Sequence, residues 1–128
     1  MGCLMDIQFT DREIDIMEVL WERGPSLVAE VREALPDPLA YNTVLTILRT
    51  LEGKGHVGHE EEGRGHRYHA KVAQQAARGS ALKHLTRKLF KGSAELLLTQ
   101  LVSDRKLSGD ELARMRQLLA DHADEKEE

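Results

Sequence analysis

Apolar residues first recur at helical spacing in the segment ending at Trp21, where Ile16, Met17, Val19, Leu20 and Trp21 make one broad face. The pattern predicts a helix over about 11–23. Its start is written locally: Thr10 and Glu13 match a capping box, Phe9 and Ile14 occupy the positions of a hydrophobic staple, and Gly24-Pro25 ends the helix. Ser26-Leu27 is long enough only for a bridging strand. Val28, Val31 and Leu35 then mark a short second helix, broken by Pro36-Asp37-Pro38.

A third helix is expected from near Ala40 to Gly53-Lys54-Gly55, with Val44, Ile47, Leu48 and Leu51 in one apolar stripe. Its opposite face carries Asn42, Thr46 and Arg49, flanked by Thr43 and Leu45, and is nearly free of carboxylates. From His56 to Ala70 the pattern changes to two short extended stretches around the Gly-rich turn Glu61-Glu62-Gly63-Arg64-Gly65, which reads as a β-hairpin. Pairing Val57 with Tyr68 would put both on one face. After Val72 three more helices follow, marked by Leu82, Leu85, Leu89 and Phe90, by Leu96, Leu97, Leu101 and Val102, and by Leu112, Met115, Leu118 and Leu119. Ser108 is the expected N-cap of the last, and the acidic 123–128 end is expected to be disordered. These leucines exceed what so short a tail can bury on itself.

Length and composition narrow the class. The 128 residues are 41% hydrophobic and only 4% aromatic, so the core is expected to be mostly aliphatic and an RNA-binding sheet of stacking rings is not expected. One cysteine, Cys3, and no apolar leader point to the cytoplasm, and no run is long enough to insert in a membrane. Asp6 stands where an acylation signal needs Ser or Thr. The net charge of -4 conceals a segregation: residues 1–71 hold 8 Lys+Arg against 13 Asp+Glu, 72–106 hold 7 against 2, and 107–128 hold 3 against 7. An acidic N-terminal half counts against nucleic acid unless its few cations are focused in space.

Three helices, a hairpin and a polar third helix make a mainly α winged helix-turn-helix, about 1–71, followed by a helical region over 72–128. In that arrangement the third helix enters a major groove. Asn42 and Arg49 suit base edges, Thr43 and Thr46 suit phosphates or bases, and Leu45 suits a thymine methyl. Arg64 at the hairpin tip and Arg67 on its return strand place cations at the phosphate backbone, although Glu60-Glu61-Glu62 lie beside them. The rival reading is a winged-helix protein-interaction adaptor, which has no need of Asn42, Thr46 and Arg49 together with Arg64 and Arg67. Catalysis is not expected, because no nucleophile with its base, paired carboxylates or phosphate-cradling loop is visible. No cofactor is implied.

Thr10-Asp11-Arg12-Glu13, the run from Ile16 to Trp21, Val28-Ala29-Glu30-Val31, the run from Tyr41 to Leu51 and the run Gly63 to Tyr68 together resemble the penicillinase-repressor family, BlaI/MecI/CopY. The likeness spans about 8–122 and centres on Tyr-x-Thr-Val-x-Thr and its spacing to the Gly-Arg wing, which adds Tyr41 to the DNA-binding set. It implies a homodimeric transcriptional repressor that binds a palindromic operator on double-stranded DNA. The C-terminal helices would dimerise, giving Leu82, Leu85, Leu89, Phe90, Leu97, Leu101, Leu112, Met115 and Leu119 a shared interface.

In antibiotic-responsive members of that family, a membrane metalloprotease sensor cleaves the dimerisation region at an Asn-Phe bond. The corresponding place here is Gln100-Leu101, a departure from that pattern. Copper-responsive members use a Cys-rich C-terminal motif, which this chain lacks. Four histidines, His56, His59, His66 and His69, fall in the hairpin. Pairing Val57 with Tyr68 would set His59 opposite His66 and His56 opposite His69, on opposite faces, so no metal site is expected. His84 and His122 read as helix-surface residues, and the cations Arg78, Lys83, Arg87, Lys88 and Lys91 as the cover of a helix.

Overall fold

A computed structural model describes residues 7–104 and 106–127. Cys3 and Asp6 lie outside the described residues. The elements run α1 (Asp11–Arg23), β1 (Ser26–Leu27), α2 (Val28–Ala34), α3 (Tyr41–Gly53), β2 (Val57–Glu62), β3 (Gly65–Ala70), α4 (Gln74–Leu89), α5 (Ala94–Asp104) and α6 (Gly109–Glu127). The chain divides into two compact units at His84/Leu85, so the first turns of α4 belong with the head.

In the first unit α1 begins as its sequence dictates. The Thr10 hydroxyl accepts from the Glu13 N–H at 3.2 Å, and the Glu13 carboxylate accepts from the Thr10 N–H at 2.8 Å. Gly24 ends the helix with φ +85°, a conformation that costs an L side chain energy. β1 does bridge: it pairs antiparallel with β3, which pairs antiparallel with β2, in the order β1-β3-β2.

The core lies between the three helices and this sheet. Ile16, Met17 and Leu20 of α1, Val28 and Val31 of α2, and Val44, Leu48 and Leu51 of α3 meet Val57 and Tyr68 of the hairpin. Each such buried aliphatic side chain contributes about 1.5–3 kcal/mol relative to exposure. Two further links fix the chain after the hairpin. The Trp21 indole N–H donates to the Val72 carbonyl at 2.8 Å, and the Ile7 N–H donates to the Ser80 hydroxyl, which in turn donates to the Ile7 carbonyl, both at 3.2 Å.

The hairpin register corrects the expected one. Val57 pairs with Ala70 and His59 with Tyr68, not Val57 with Tyr68. The cause is the turn: Glu62 and Gly65 close on the two residues Gly63-Arg64, and Gly63 supplies φ +63°. The shift is two residues, so side chains keep their faces and Val57 and Tyr68 still share one. Neither expected pair is directly opposite in the ladder, since His66 faces Glu61, His69 faces Gly58 and His56 lies just before it, although His59 and His66 share a face and stack diagonally.

In the second unit no described residue from Leu85 onward is buried. Leu89 is 72% exposed, and Leu101, Val102, Leu118 and Leu119 are also open. Ser108 caps α6 as expected, with its hydroxyl accepting from the Glu111 N–H at 3.1 Å. Where disorder was expected, 123–127 are helical, since α6 continues through Glu127, and Glu128 lies outside the described residues. Residues 120–127 include Ala, Asp, Glu and Lys but no Gly or Pro, and Gln117 donates to Asp121 one turn on at 2.8 Å.

Candidate nucleic-acid interface

The buried stripe of α3 fixes what its other face presents. With Val44, Leu48 and Leu51 at 0% exposure, Tyr41, Asn42, Thr43, Thr46 and Arg49 are all exposed on the far side. Leu45 is half-buried and packs against the core. Glu52 is the one carboxylate of α3, at its last turn.

The amino end of α3 differs from those of α1 and α6. Ala40 is its N-cap and offers no side-chain acceptor, and its first turn holds no acidic residue. The Thr43 N–H, which a Ser or Asp cap would take, turns to the Ala40 carbonyl at 3.0 Å instead, so no side-chain oxygen stands at the positive end of the helix dipole.

Arg64 stands exposed at the hairpin tip and takes part in none of the ion pairs among the described residues. Arg67 is different. Its guanidinium donates to Glu62 at 2.9 and 2.7 Å, to Glu30 at 3.3 Å and to the Pro25 carbonyl at 3.1 Å. Hydrogen bonding to Glu62 raises the Arg67 pKa further above its usual value and holds the Glu62 carboxyl below its own. Glu30 is also held low, first by the Leu27 N–H and then by the charges of Arg67 and Arg23, which outweigh its loss of solvent. Arg67 therefore braces the hairpin against the loop before α2 instead of projecting outward.

Behind this face lie groups that pattern reading missed. Glu13 is buried, and Lys54 holds both its oxygens at 2.9 Å. Burial pushes the Glu13 carboxyl up, but Lys54 and the Thr10 N–H outweigh it and leave it below the usual value. His56 is buried beside the Phe9 ring, centroids 5.1 Å apart, with its Nδ1 lacking a hydrogen-bond partner. Burial and the Lys54 charge pull its pKa down. His84 is half-buried, not a plain surface residue, and its Nδ1 is also buried and unpartnered. His122 is exposed on α6, as expected.

Among the described residues no three His, Cys, Asp or Glu side chains are grouped to hold a metal ion. Nor is any described helix long and apolar enough to cross a membrane.

The model of the penicillinase repressor family matches residues 9–121. The chain belongs to that family. As a penicillinase-repressor family member it is 24% identical over 123 residues to the penicillinase repressor of Bacillus licheniformis, covering 94% of this chain and 96% of that protein. It is 32% identical over 117 residues to the transcriptional regulator BlaI of Mycobacterium tuberculosis, covering 87% and 82%. Among solved structures, the complex structure of hsRosR-S4 matches with TM-score 0.55 and 19% identity over 92% of each chain, a likeness of fold. The first unit is accordingly a winged helix, with the β2–β3 hairpin as the wing.

Proposed function

We propose that this penicillinase-repressor family member is a sequence-specific DNA-binding transcriptional repressor that acts as a homodimer on a palindromic operator. The observation that carries the reading is the outer face of α3. Tyr41, Asn42, Thr43, Thr46 and Arg49 stand exposed together, with Leu45 at the margin and Arg64 free at the wing tip. Groups of this kind contact base edges and phosphates, whereas Arg67 supports them by holding the wing in place. The head's overall acidity is offset locally because Glu13, Glu30 and Glu62 are engaged by Lys54 and Arg67.

We assign about 1–71 to DNA and about 72–128 to dimerisation, although the compact head extends to His84 in the first turns of α4. Open leucines with no buried residue from Leu85 onward favour a second copy of the chain as their cover. Leu82, Leu85, Leu89, Phe90, Leu97, Leu101, Leu112, Met115 and Leu119 are assigned to that interface. Two linked heads gain effective concentration on two half-sites, so splitting the dimer releases DNA. Relief of repression by a membrane metalloprotease sensor would act at Gln100-Leu101. Both residues are exposed on α5, which has no buried residue to resist local unwinding into a protease cleft.

The test is a titration of the full chain against a duplex of its own promoter and a scrambled duplex, at two salt concentrations. Tight promoter binding with a steep salt slope and two chains per duplex is expected. Equal, weak binding to both duplexes would refute the reading in favour of a protein-binding adaptor.

A further inference from the structure

Arg49 and Glu52 are three residues apart on α3, a spacing at which opposite charges on a helix surface meet. Such a pair would neutralise the cation most suited to reading a base. It does not form: among the described residues no ion pair joins them. Glu52 turns instead to the wing, where His59 Nδ1 lies 2.9 and 2.7 Å from its two oxygens. A carboxylate only accepts, so Nδ1 carries the hydrogen.

The His59 ring is itself held. It stacks on His66 with centroids 4.3 Å apart and planes 13° from parallel, and Tyr68 lies 5.3 Å away. Tyr68 is buried. Burial first, and then the Glu52 charge, raise the Tyr68 pKa against the opposing charge of Arg49, so the phenol beside His59 is neutral. Strand β2 thus takes the carboxylate of α3.

We propose that His59 is a positioning residue for operator recognition: it draws Glu52 onto the wing, keeping the only carboxylate of α3 off Arg49 and away from DNA phosphates. The wing thereby sets the charge that the recognition helix presents. The proposal rests on the DNA-binding reading of α3. A released Glu52 would compete with DNA for Arg49, and an exposed pair of this kind is worth up to a factor of about five in affinity.

The experiment is a double-mutant cycle on the full chain with a labelled duplex of its own promoter, read by fluorescence anisotropy. His59→Phe keeps a ring to stack on His66 and removes the donor; it should weaken binding about fivefold. Glu52→Gln alone should stay within about twofold of the parent, because its charge is already held aside, and adding it to His59→Phe should restore binding to within about twofold. His59→Leu, with circular dichroism to confirm folding, serves if the phenyl ring disrupts the wing, and should be rescued in the same way. The proposal is overturned if the His59 variants bind like the parent, if Glu52→Gln fails to rescue them, or if Glu52→Gln strengthens binding equally with and without His59. A parent chain that does not distinguish its promoter from the scramble would instead overturn the DNA-binding reading.

Discussion

Lys54, at the end of α3, grips the buried carboxylate of Glu13 in the first turn of α1 at 2.9 Å from each oxygen. Glu13 thus caps its own helix and anchors α3 with one side chain. Replacing Lys54 with Met leaves a buried carboxylate short of its cation. Denaturant melts should show a loss of about 1–2 kcal/mol at neutral pH, the lower part of the usual range because Lys54 is half-exposed. Since Glu13 titrates below its ordinary 4.5, the parent keeps this stability above that pH and loses it as the pH falls lower. The variant should lose less over that acid interval.

Arg49→Ala should weaken promoter binding by about 1–3 kcal/mol, and Thr46→Ala by less, since the arginine can make two base contacts. Both side chains are exposed, so melting midpoints should stay within a degree or two, corresponding to about 0.5 kcal/mol or less. Unchanged affinity in both variants would remove α3 from the interface.

His56 gives the head a second pH response. Its pKa is lowered in the fold from 6.5, so as the pH falls through about 6.5 the unfolded chain takes up the proton first. Stability therefore declines from there downward until the folded imidazole is itself protonated. His56→Leu should flatten this decline between pH 7 and pH 5.5, well above the interval in which Glu13 acts. Parallel slopes in the parent and the variant would assign the effect to another group.

Leu89→Glu introduces charge where the isolated chain leaves a leucine 72% exposed. If a second copy covers it, sedimentation equilibrium should show monomer where the parent is dimeric, and promoter affinity should drop by at least about tenfold as the two half-sites lose their linkage. A variant that stays dimeric would place the interface elsewhere.

Signals carried by neighbouring residues were legible in the chain. The α1 capping box, the Gly24 stop and the bridging strand at Ser26-Leu27 each depend on residues only a few positions apart. The apolar stripe of α3 exposed its polar face by arithmetic alone. The hairpin was legible, but its register was not, because two-residue closure at Gly63-Arg64 had to be distinguished from closure one residue earlier. The ion pairs of Arg67 were hidden for a different reason: one of its partners, Glu30, is 37 residues away and reaches it only when α2 packs beside the sheet. The His59–Glu52 contact, between two elements across a turn, was hidden in the same way.

The bare amino end of α3 implies a conflict between durability and regulation. Ala40→Asp would give the helix the cap it lacks and should raise the stability of the free protein by about 0.5–2 kcal/mol. The same carboxylate would stand at the end of the helix that we propose meets a polyanion. Selection for a hardier protein and selection for a silent promoter thus pull this position in opposite directions, and a screen that scored only thermal tolerance would enrich variants that no longer repress.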